Sequence, residues 1–205
     1  MSDHDHYFTA DPVSAAQQRS LTVQLAGRDV TVRTAAGIFS PDGVDKGTTV
    51  LLREAPAPPT AGALLDLGCG WGPITLTLAL RSPGATVFGV DVNERALDLL
   101  RTTAASLDLD TVRACRPEDV PPSLEFAAIW SNPPIRVGKA VLHDMLLTWL
   151  PRLELGGAAY LVVQKNLGSD SLQRWLGEQL PAESYAVARF ALDKGFRVLE
   201  VRRTA

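Results

Sequence analysis

The segment from Ala63 to Pro73 constrains the fold more than any other part of this 205-residue chain. A short apolar run that contains Asp66 leads into glycines at every second position of the Gly68–Gly72 turn, and the proline follows directly. Glycine allows the backbone to turn sharply and to approach a ligand closely. Proline suits the first turn of a helix, whose N-terminal N–H groups and dipole favour anionic ligands. The segment therefore predicts a strand, a tight turn and a helix that together form a cradle for a nucleoside-type cofactor.

Predicted strands and helices alternate after this segment. The strand candidates are Ala63–Leu67, Thr86–Asp91, Thr111–Cys115, Phe126–Ser131, Ala158–Gln164, Tyr185–Phe190 and Phe196–Arg202, and the helix candidates are Pro73–Leu80, Glu94–Leu107, Lys139–Leu150 and Ser169–Leu180. Such alternation is typical of a parallel sheet covered by helices on both faces. Only a hairpin loop, Leu192 to Gly195, separates the last two strands. We therefore expect an α/β fold with a seven-stranded, mostly parallel sheet that carries an antiparallel edge strand.

A proline-rich stretch, Ala55 to Thr60, marks the best domain boundary in the chain. Proline lacks the N–H and clashes with the preceding helical turn, so the short helix predicted over Asp45–Glu54 ends there. Before that helix, two alternating segments between Leu21 and Thr34 predict a β-hairpin. We interpret residues 1–60 as an N-terminal extension and residues 61–205 as the core on which it packs.

Composition excludes several classes of protein. The longest strongly apolar run, Ala158 to Val163, is far too short to cross a bilayer, and the acidic N-terminus lacks the apolar core of a signal peptide. Cys69 and Cys115 lie far apart without ligand-like spacing, which is typical of reduced cytoplasmic thiols. We therefore expect a cytoplasmic protein that binds neither membrane nor metal. The net charge of −3 argues against a general nucleic-acid binder but allows a local basic face.

A carboxylate, Asp91, ends the second predicted strand at about 20 residues beyond the glycine turn, the separation expected of an acid that binds ribose hydroxyls. The carboxyl ends of parallel strands meet at one edge of a sheet, so this side chain and the turn are expected to share a site. The glycine spacing, G-x-G-x-G, disfavours a nicotinamide dinucleotide, whose fingerprint is G-x-G-x-x-G. A nicotinamide-dependent oxidoreductase remains an alternative at this point.

A second turn, Asn132-Pro133-Pro134-Ile135, follows the predicted strand Phe126–Ser131 at the same edge. The residue before a proline is pushed into an extended conformation, and two prolines hold the next carbonyl rigidly. The Asn132 side-chain oxygen and the Pro133 carbonyl can then accept both protons of one planar amino group. Such fixed dipoles favour attack of the nitrogen lone pair on an electrophile. Asn132 to Ile135 are therefore the candidate catalytic residues.

Together these motifs resemble the class I S-adenosylmethionine-dependent methyltransferases that methylate amino nitrogens. The similarity is closer to the small-domain group that contains the 16S rRNA guanine-N2 methyltransferases, the RsmC-like enzymes. Further matching segments extend the resemblance over nearly the whole chain, namely His6–Phe8, Gly37–Thr48, Asn132–Lys139 and Val163–Lys165. The resemblance implies a Rossmann-like fold and S-adenosyl-L-methionine as the cofactor, with S-adenosyl-L-homocysteine as its product.

The resemblance also implies roles for individual residues. The glycine turn and Asp66 would hold the methionine part of the cofactor, and Asp91 would bind the ribose. The implied cofactor-binding set is Phe39, Ser40, Gly47, Asp66, Gly68, Cys69, Gly70, Gly72, Asp91, Val92, Arg116, Pro117, Glu118, Asp119 and Asn132. Arg136, Lys139 and Lys165 flank the expected target pocket and are candidates for contacts with RNA phosphates, although solubility charges are an equal alternative.

The implied activity is transfer of a methyl group from S-adenosylmethionine to an exocyclic amino nitrogen. Guanine N2 in small-subunit ribosomal RNA is the favoured acceptor, with ribosomal RNA or the small ribosomal subunit as the partner. An Asn-Pro-Pro turn suits any planar amine, so a protein glutamine amide and a DNA adenine amine are alternatives, as is a non-catalytic protein that binds the cofactor or RNA. Ile135 stands where many amino-methyltransferases place Tyr or Phe, so a base finds no ring at this position.

Overall fold

The computed structural model describes residues 18–205, without the side chain of Arg136. The matching segment His6–Phe8 lies outside these residues. The strands are β1 (Arg19–Leu25), β2 (Arg28–Thr34), β3 (Ala61–Leu67), β4 (Gly84–Val90), β5 (Val112–Cys115), β6 (Phe126–Ser131), β7 (Leu153–Gln164), β8 (Tyr185–Asp193) and β9 (Phe196–Arg203). The α-helices are α1 (Lys46–Glu54), α2 (Pro73–Arg81), α3 (Glu94–Ser106), α4 (Lys139–Trp149) and α5 (Ser169–Gln179).

Seven strands form the central sheet in the order β5-β4-β3-β6-β7-β9-β8. The neighbours from β5 to β7 pair in parallel, whereas β9 pairs antiparallel with both β7 and β8. The predicted α/β fold with a mostly parallel sheet and an antiparallel strand is confirmed. The antiparallel strand lies one place in from the edge: the tight turn at Lys194-Gly195 joins β8 to β9, and β9 pairs with β7 on its other side.

Helices cover both faces of this sheet. On one face, Leu146 and Trp149 of α4 and Leu176 of α5 pack on the apolar residues of β6 and β7. On the other face, α1 and α2 pack against a second layer that includes Trp130 and Tyr160. Successive side chains of a strand point to opposite faces of the sheet, so alternate residues of each central strand contribute to the apolar layers on its two faces. None of the helices in residues 18–205 is long and apolar enough to cross a bilayer.

The hairpin β1–β2 forms a separate two-stranded sheet that packs on α3. Val30 and Val32 of β2 are buried together with Leu97 and Leu100 of α3 and with Trp71 of the glycine turn. The elements before the proline-rich stretch therefore share buried surface with those after it. The hairpin brings the segment after β2 against the glycine turn, where Trp71 Nε1 donates a hydrogen bond to the Ser40 carbonyl at 3.1 Å.

Gly72 provides a test of this packing. Its φ is +96°, and a Cβ there would overlap the buried side chain of Leu100. An alanine at this position would strain the backbone and overpack the core. Gly72→Ala should therefore lower the free energy of unfolding, measured by urea denaturation, by about 2–4 kcal/mol. Gly177 is the matched control, because it lies within α5 and a Cβ added there would meet nothing within 4 Å. Gly177→Ala should be neutral or should raise that free energy by up to about 1 kcal/mol; equal effects at both positions would contradict the prediction.

Candidate active site

A cavity of about 690 Å³ opens where the carboxyl ends of β3, β4, β6 and β7 meet. It contains residues of both predicted motifs. The lining comprises Phe39, Asp45, Leu67, Gly68, Gly70, Val90, Asp91, Val92, Asn93, Ala96, Pro117, Asn132, Pro133, Pro134, Ile135, Val137, Val141, Met145, Trp149, Val162, Gln164, Leu167 and Phe196. The structure therefore brings the glycine turn, the acid after β4 and the Asn-Pro-Pro turn to one cavity.

The glycine turn forms one wall of this cavity. The amides of Gly68 and Cys69 donate hydrogen bonds to the Val90 carbonyl at 2.8 and 3.0 Å, which ties the turn to the end of β4. Gly68 and Gly70 have φ angles of +77° and +54°. A Cβ on Gly70 would meet nothing within 4 Å, and one on Gly68 would meet only Pro134 at 3.9 Å. Side chains here would thus take up space in the cavity, and the bare backbone fits a ligand that approaches closely.

Asp66 lies beneath the turn and does not line the cavity. Its side chain is 0% exposed, and Oδ2 accepts hydrogen bonds from the Thr75 amide at 2.9 Å and the Thr75 hydroxyl at 2.7 Å. Burial, only partly offset by these bonds, raises the pKa of Asp66 to about 7. The side chain joins the end of β3 to the start of α2 and so sets the shape of the turn between them.

Asp91 faces the cavity directly after β4. Its two oxygens accept hydrogen bonds from the Gly70 amide at 2.8 Å and the Asn93 amide at 2.9 Å. Burial raises the pKa of Asp91, while these backbone donors act in the opposite direction. The carboxylate is therefore held at the cavity wall by the glycine turn on one side and by the start of α3 on the other.

Asn132 is fixed by residues of α1. Its Nδ2 donates hydrogen bonds to Asp45 Oδ2 at 2.9 Å and to Thr48 Oγ1 at 3.1 Å. Asp45 is also the N-cap of α1, where Oδ2 accepts hydrogen bonds from the Gly47 amide at 2.7 Å and the Thr48 amide at 3.3 Å. A single carboxylate oxygen therefore joins the N-terminus of α1 to the amide of the Asn-Pro-Pro turn.

The Pro133 carbonyl is held by a local turn. The Ile135 amide donates to it at 2.8 Å, and Pro134 has φ −74° and ψ 76°, the angles of an inverse γ-turn. A carbonyl oxygen has two lone pairs. This bond occupies one of them and fixes the orientation of the group, and the second can accept from a ligand.

Much of the cavity lining is apolar. Ile135, Met145, Trp149 and Phe196 are among its lining residues. Phe196 comes from β9, where it pairs with Gln164 of β7. A flat heterocycle would find aromatic and aliphatic surface here although Ile135 itself carries no ring.

The remaining predicted cofactor residues are distributed unevenly. Phe39, Val92 and Pro117 line the main cavity, whereas Ser40 and Cys69 line a smaller one beside it. Five of them line neither cavity in the described part of the chain: Gly47, Gly72 and the neighbours of Pro117, namely Arg116, Glu118 and Asp119. Gly47 lies in the first turn of α1, close to Asn132, and a Cβ there would lie 3.0 Å from Asp45 and 3.1 Å from Phe196.

Asp45 and Phe196 are among the residues of this site that the predicted set lacks. The local sequence does indicate a structural role for Asp45, because an aspartate before Lys-Gly-Thr at the start of a predicted helix is a recognisable N-cap. There is no such indication for Phe196, because its approach to the cavity depends on the register between β7 and β9. Burial raises the pKa of the Cys69 thiol well above its usual value, which disfavours the reactive thiolate. Among residues 18–205 no cluster of three or more potential metal ligands occurs.

The four lysines of the chain all lie at the cavity end of the sheet. Lys46 begins α1, Lys139 begins α4, Lys165 follows β7, and Lys194 lies in the β8–β9 turn. All four side chains are exposed, and within the described residues none takes part in an ion pair. Lys165 and Lys194 are close together, because the Lys165 amide donates to the Gly195 carbonyl at 2.8 Å. Arg136, whose side chain is not described, lies in a turn beside the cavity.

Several known proteins are similar to this chain over most of its length. The methyltransferase small domain family matches residues 29–200. The uncharacterized protein YbxB of Bacillus subtilis (strain 168) is 30% identical over 202 residues, which cover 97% of this chain and 98% of that protein. Ribosomal RNA small subunit methyltransferase C of Ectopseudomonas mendocina (strain ymp) is 35% identical over 202 residues, which cover 95% of this chain and 57% of that protein.

Solved structures agree with these relatives. The structure of "T. Thermophilus 16S rRNA N2 G1207 methyltransferase (RsmC) in complex with AdoMet and Guanosine" aligns with a TM-score of 0.76 and 25% identity, covering 94% of this chain and 52% of that chain. This chain thus spans about half the length of the RsmC-type proteins it matches. It belongs to the methyltransferase small domain family, whose cofactor is S-adenosylmethionine, which confirms the resemblance seen in the sequence.

The raised pKa of Asp66 predicts a pH-dependent stability. Its carboxyl group binds a proton more tightly in the folded chain than in the unfolded chain. The free energy of unfolding should therefore fall as the pH rises from the unfolded pKa, about 4, towards the folded pKa of about 7. Asp66→Asn keeps an oxygen acceptor for Thr75 without a titratable group, so its stability should fall less over this range. Urea unfolding at about pH 5 and about pH 8 measures the difference.

The control for this experiment is Asp110→Asn. Asp110 is exposed, so removal of its carboxylate should leave the pH dependence of wild type unchanged. A fall in stability of equal size in wild type and Asp66→Asn would show that burial of Asp66 does not cause the pH dependence.

Proposed function

We propose that this protein transfers a methyl group from S-adenosylmethionine to an exocyclic amino nitrogen of a base in RNA, with guanine N2 of small-subunit ribosomal RNA as the favoured acceptor. The acceptor is proposed from the relatives, which include ribosomal RNA small subunit methyltransferase C and a 16S rRNA N2 methyltransferase solved with AdoMet and guanosine. The methyl transfer itself is supported by the family and by the geometry of the cavity.

One observation carries this proposal. A single cavity holds a cofactor cradle, formed by Gly68, Gly70 and Asp91, and next to it a fixed pair of acceptors on Asn132 and Pro133. The glycines follow β3, Asp91 follows β4 and the two acceptors follow β6, so the separation of these groups is set by neighbouring parallel strands. A donor and an amine held side by side react as if at very high local concentration.

The residues present fit the cofactor. We propose that the glycine turn and Asp91 bind it, the turn by close backbone approach and the carboxylate by accepting from the ribose hydroxyls. Asp66, which is buried, would act indirectly by holding the turn through Thr75. Phe39, Val92 and Pro117, which also line the cavity, would supply apolar contacts to the cofactor. When bound, S-adenosylmethionine supplies an electrophilic methyl group on a positively charged sulfur that leaves as a neutral thioether.

The role of the Asn-Pro-Pro turn is to prepare the acceptor nitrogen. Asn132 Oδ1 and the second lone pair of the Pro133 carbonyl would accept the two protons of the amino group. These bonds would turn the nitrogen lone pair away from the conjugated ring and towards the methyl group, and would stabilise the positive charge that develops on nitrogen. Once the N–C bond forms, the nitrogen releases one proton to water. Neither a covalent enzyme intermediate nor a protein nucleophile is required.

The distribution of lysines supports RNA as the acceptor. Every ion pair found within residues 18–205 uses an arginine, whereas the four exposed lysines around the cavity are left without an acidic partner. A chain with net charge −3 thus has all four of its lysines exposed around its site. Lysines that are free to contact phosphates position a nucleic acid without reading its sequence. We propose that Lys139 and Lys165, with Arg136, Lys46 and Lys194, contact the RNA backbone.

The acceptor can be identified by transfer of labelled methyl. We expect wild type to label 30S subunits or free 16S rRNA, and Asn132→Ala to reduce the rate by about 10²–10³-fold, because one prearranged acceptor is lost. The KM for S-adenosylmethionine should stay within about threefold of wild type, since Asn132 acts on the amine. Transfer RNA, duplex DNA and a glutamine-containing release-factor protein are assayed in parallel. Labelling confined to one of these would overturn the proposed acceptor.

The lysine contacts are tested by the double variant Lys165→Gln/Lys194→Gln. Its KM for RNA should rise about tenfold at about 0.1 M salt, and the salt dependence of KM should weaken, because fewer counterions are released on binding. The matched control is Arg28→Gln/Arg113→Gln, which removes the same charge from exposed residues at the first position of β2 and the second position of β5. An equal loss in both double variants would indicate a nonspecific effect of net charge.

A further inference from the structure

We infer that Asp45 and Thr48 are positioning residues that hold the Asn132 amide in the one orientation that can accept hydrogen bonds from the target amine. This inference rests on the proposed function, because it assigns the device that sets the acceptor in that reaction. Both residues lie at the start of α1, outside the turn that carries Asn132 and 84 or more residues away from it in sequence.

The orientation follows from what each group can donate or accept. An asparagine amide has a donating –NH₂ and an accepting oxygen, and a flip about its last bond exchanges the two. If Nδ2 faced the target amine, two donors would oppose each other. The Asp45 carboxylate can only accept, and it lies 2.9 Å from Nδ2. It therefore favours the orientation in which Nδ2 points to α1 and Oδ1 points away from it.

Thr48 completes the arrangement. Its hydroxyl accepts from Nδ2 at 3.1 Å, so both protons of the amide nitrogen have acceptors on α1. The Thr48 side chain is 3% exposed, and its own position is fixed by the first turn of the helix. Within the part of the chain that the structure describes, Oδ1 of Asn132 receives no hydrogen bond. The oxygen that the reaction needs is thus the one polar atom of this amide that is left available.

Gly47 shows how closely this junction is built. A Cβ at this position would lie 3.0 Å from Asp45 Oδ2, 3.1 Å from the Phe196 ring and 3.4 Å from Asn132 Nδ2. A side chain at residue 47 would therefore require the carboxylate, the ring or the amide to shift by a few tenths of an ångström. Glycine lets the helix N-terminus approach the amide without such shifts.

Capping and positioning can be separated by substitution at Asp45. Serine is as good an N-cap as aspartate, but its short hydroxyl does not reach Asn132. Asparagine retains an acceptor oxygen of the same reach. We expect Asp45→Ser to lower the single-turnover methyl-transfer rate about 10–100-fold, the usual effect of losing a group that orients a site residue. We expect Asp45→Asn to restore the rate to within about fivefold of wild type, and Thr48→Val to lower it about 3–10-fold. The melting temperatures of all three should remain close to that of wild type.

A double variant distinguishes positioning from a structural effect. If Asp45 acts through Asn132, then Asp45→Ser should cause no further loss of rate in the Asn132→Ala background, within about twofold. A full 10–100-fold loss on top of Asn132→Ala would overturn the inference. So would a rate of Asp45→Ser equal to that of wild type.

A readout without substrate keeps this test independent of the acceptor. The chain has three asparagines, Asn93, Asn132 and Asn166, so selective ¹⁵N labelling gives three side-chain amide pairs. The pair of signals that disappears in Asn132→Ala belongs to the Asn132 amide. In Asp45→Ser these signals should change chemical shift, and their protons should exchange faster with water. The signals of Asn93, whose Nδ2 donates to the Gly37 carbonyl at 3.1 Å, should keep their chemical shifts. An unmoved Asn132 pair would overturn the inference. If wild type labels no RNA but the Asn132 pair shifts as expected, the proposed acceptor fails and the positioning role stands.

Discussion

The active-site end of the sheet depends on the buried bond between Asp66 and Thr75. Because the carboxylate accepts from both the amide and the hydroxyl of Thr75, it fixes the start of α2 to the end of β3. The glycine turn between these two points is then held at both ends, and its amides are free to bond to Val90 and Asp91. Asp66 Oδ1 is buried without a hydrogen-bond partner among the described residues, so the protonated form of this carboxyl is favoured. The cradle is therefore formed before any ligand arrives, which is what prearranged binding requires.

The elements before the proline-rich stretch complete the site. The helix α1 places Asp45 and Thr48 against Asn132, and the segment after β2 is joined to the glycine turn by the bond between Trp71 and Ser40. The N-terminal residues therefore form hydrogen bonds with groups of the cavity in addition to packing on the core. They meet the core through hydrogen bonds at the site and through buried apolar surface elsewhere, so the positions of α1 and of the Asn-Pro-Pro turn are coupled.

Much of the fold follows from local patterns. Strand and helix alternation predicted a mostly parallel sheet, and the short Leu192–Gly195 connection predicted an antiparallel strand. The sequence could not show that β9 would lie between β7 and β8, because the order of strands depends on packing between distant segments. The same limit applies to the site. Asp91 was predictable because its separation from the glycine turn is set by one helix, whereas the approach of Phe196 depends on a pairing register.

Local motifs, through the family resemblance that they carry, were sufficient to predict the methyl donor and the kind of atom that is proposed to receive the methyl group. Glycine spacing, the following acid and the Asn-Pro-Pro turn are local features, since each depends on backbone conformations that nearby residues impose. The groups that act on these motifs became visible in the folded chain alone. Asp66 proved to be buried beneath the turn, and Asp45 proved to hold the Asn132 amide. Hydrogen bonds between residues 87 positions apart leave no mark on local sequence, because they form only after the sheet has brought their strands and helices together.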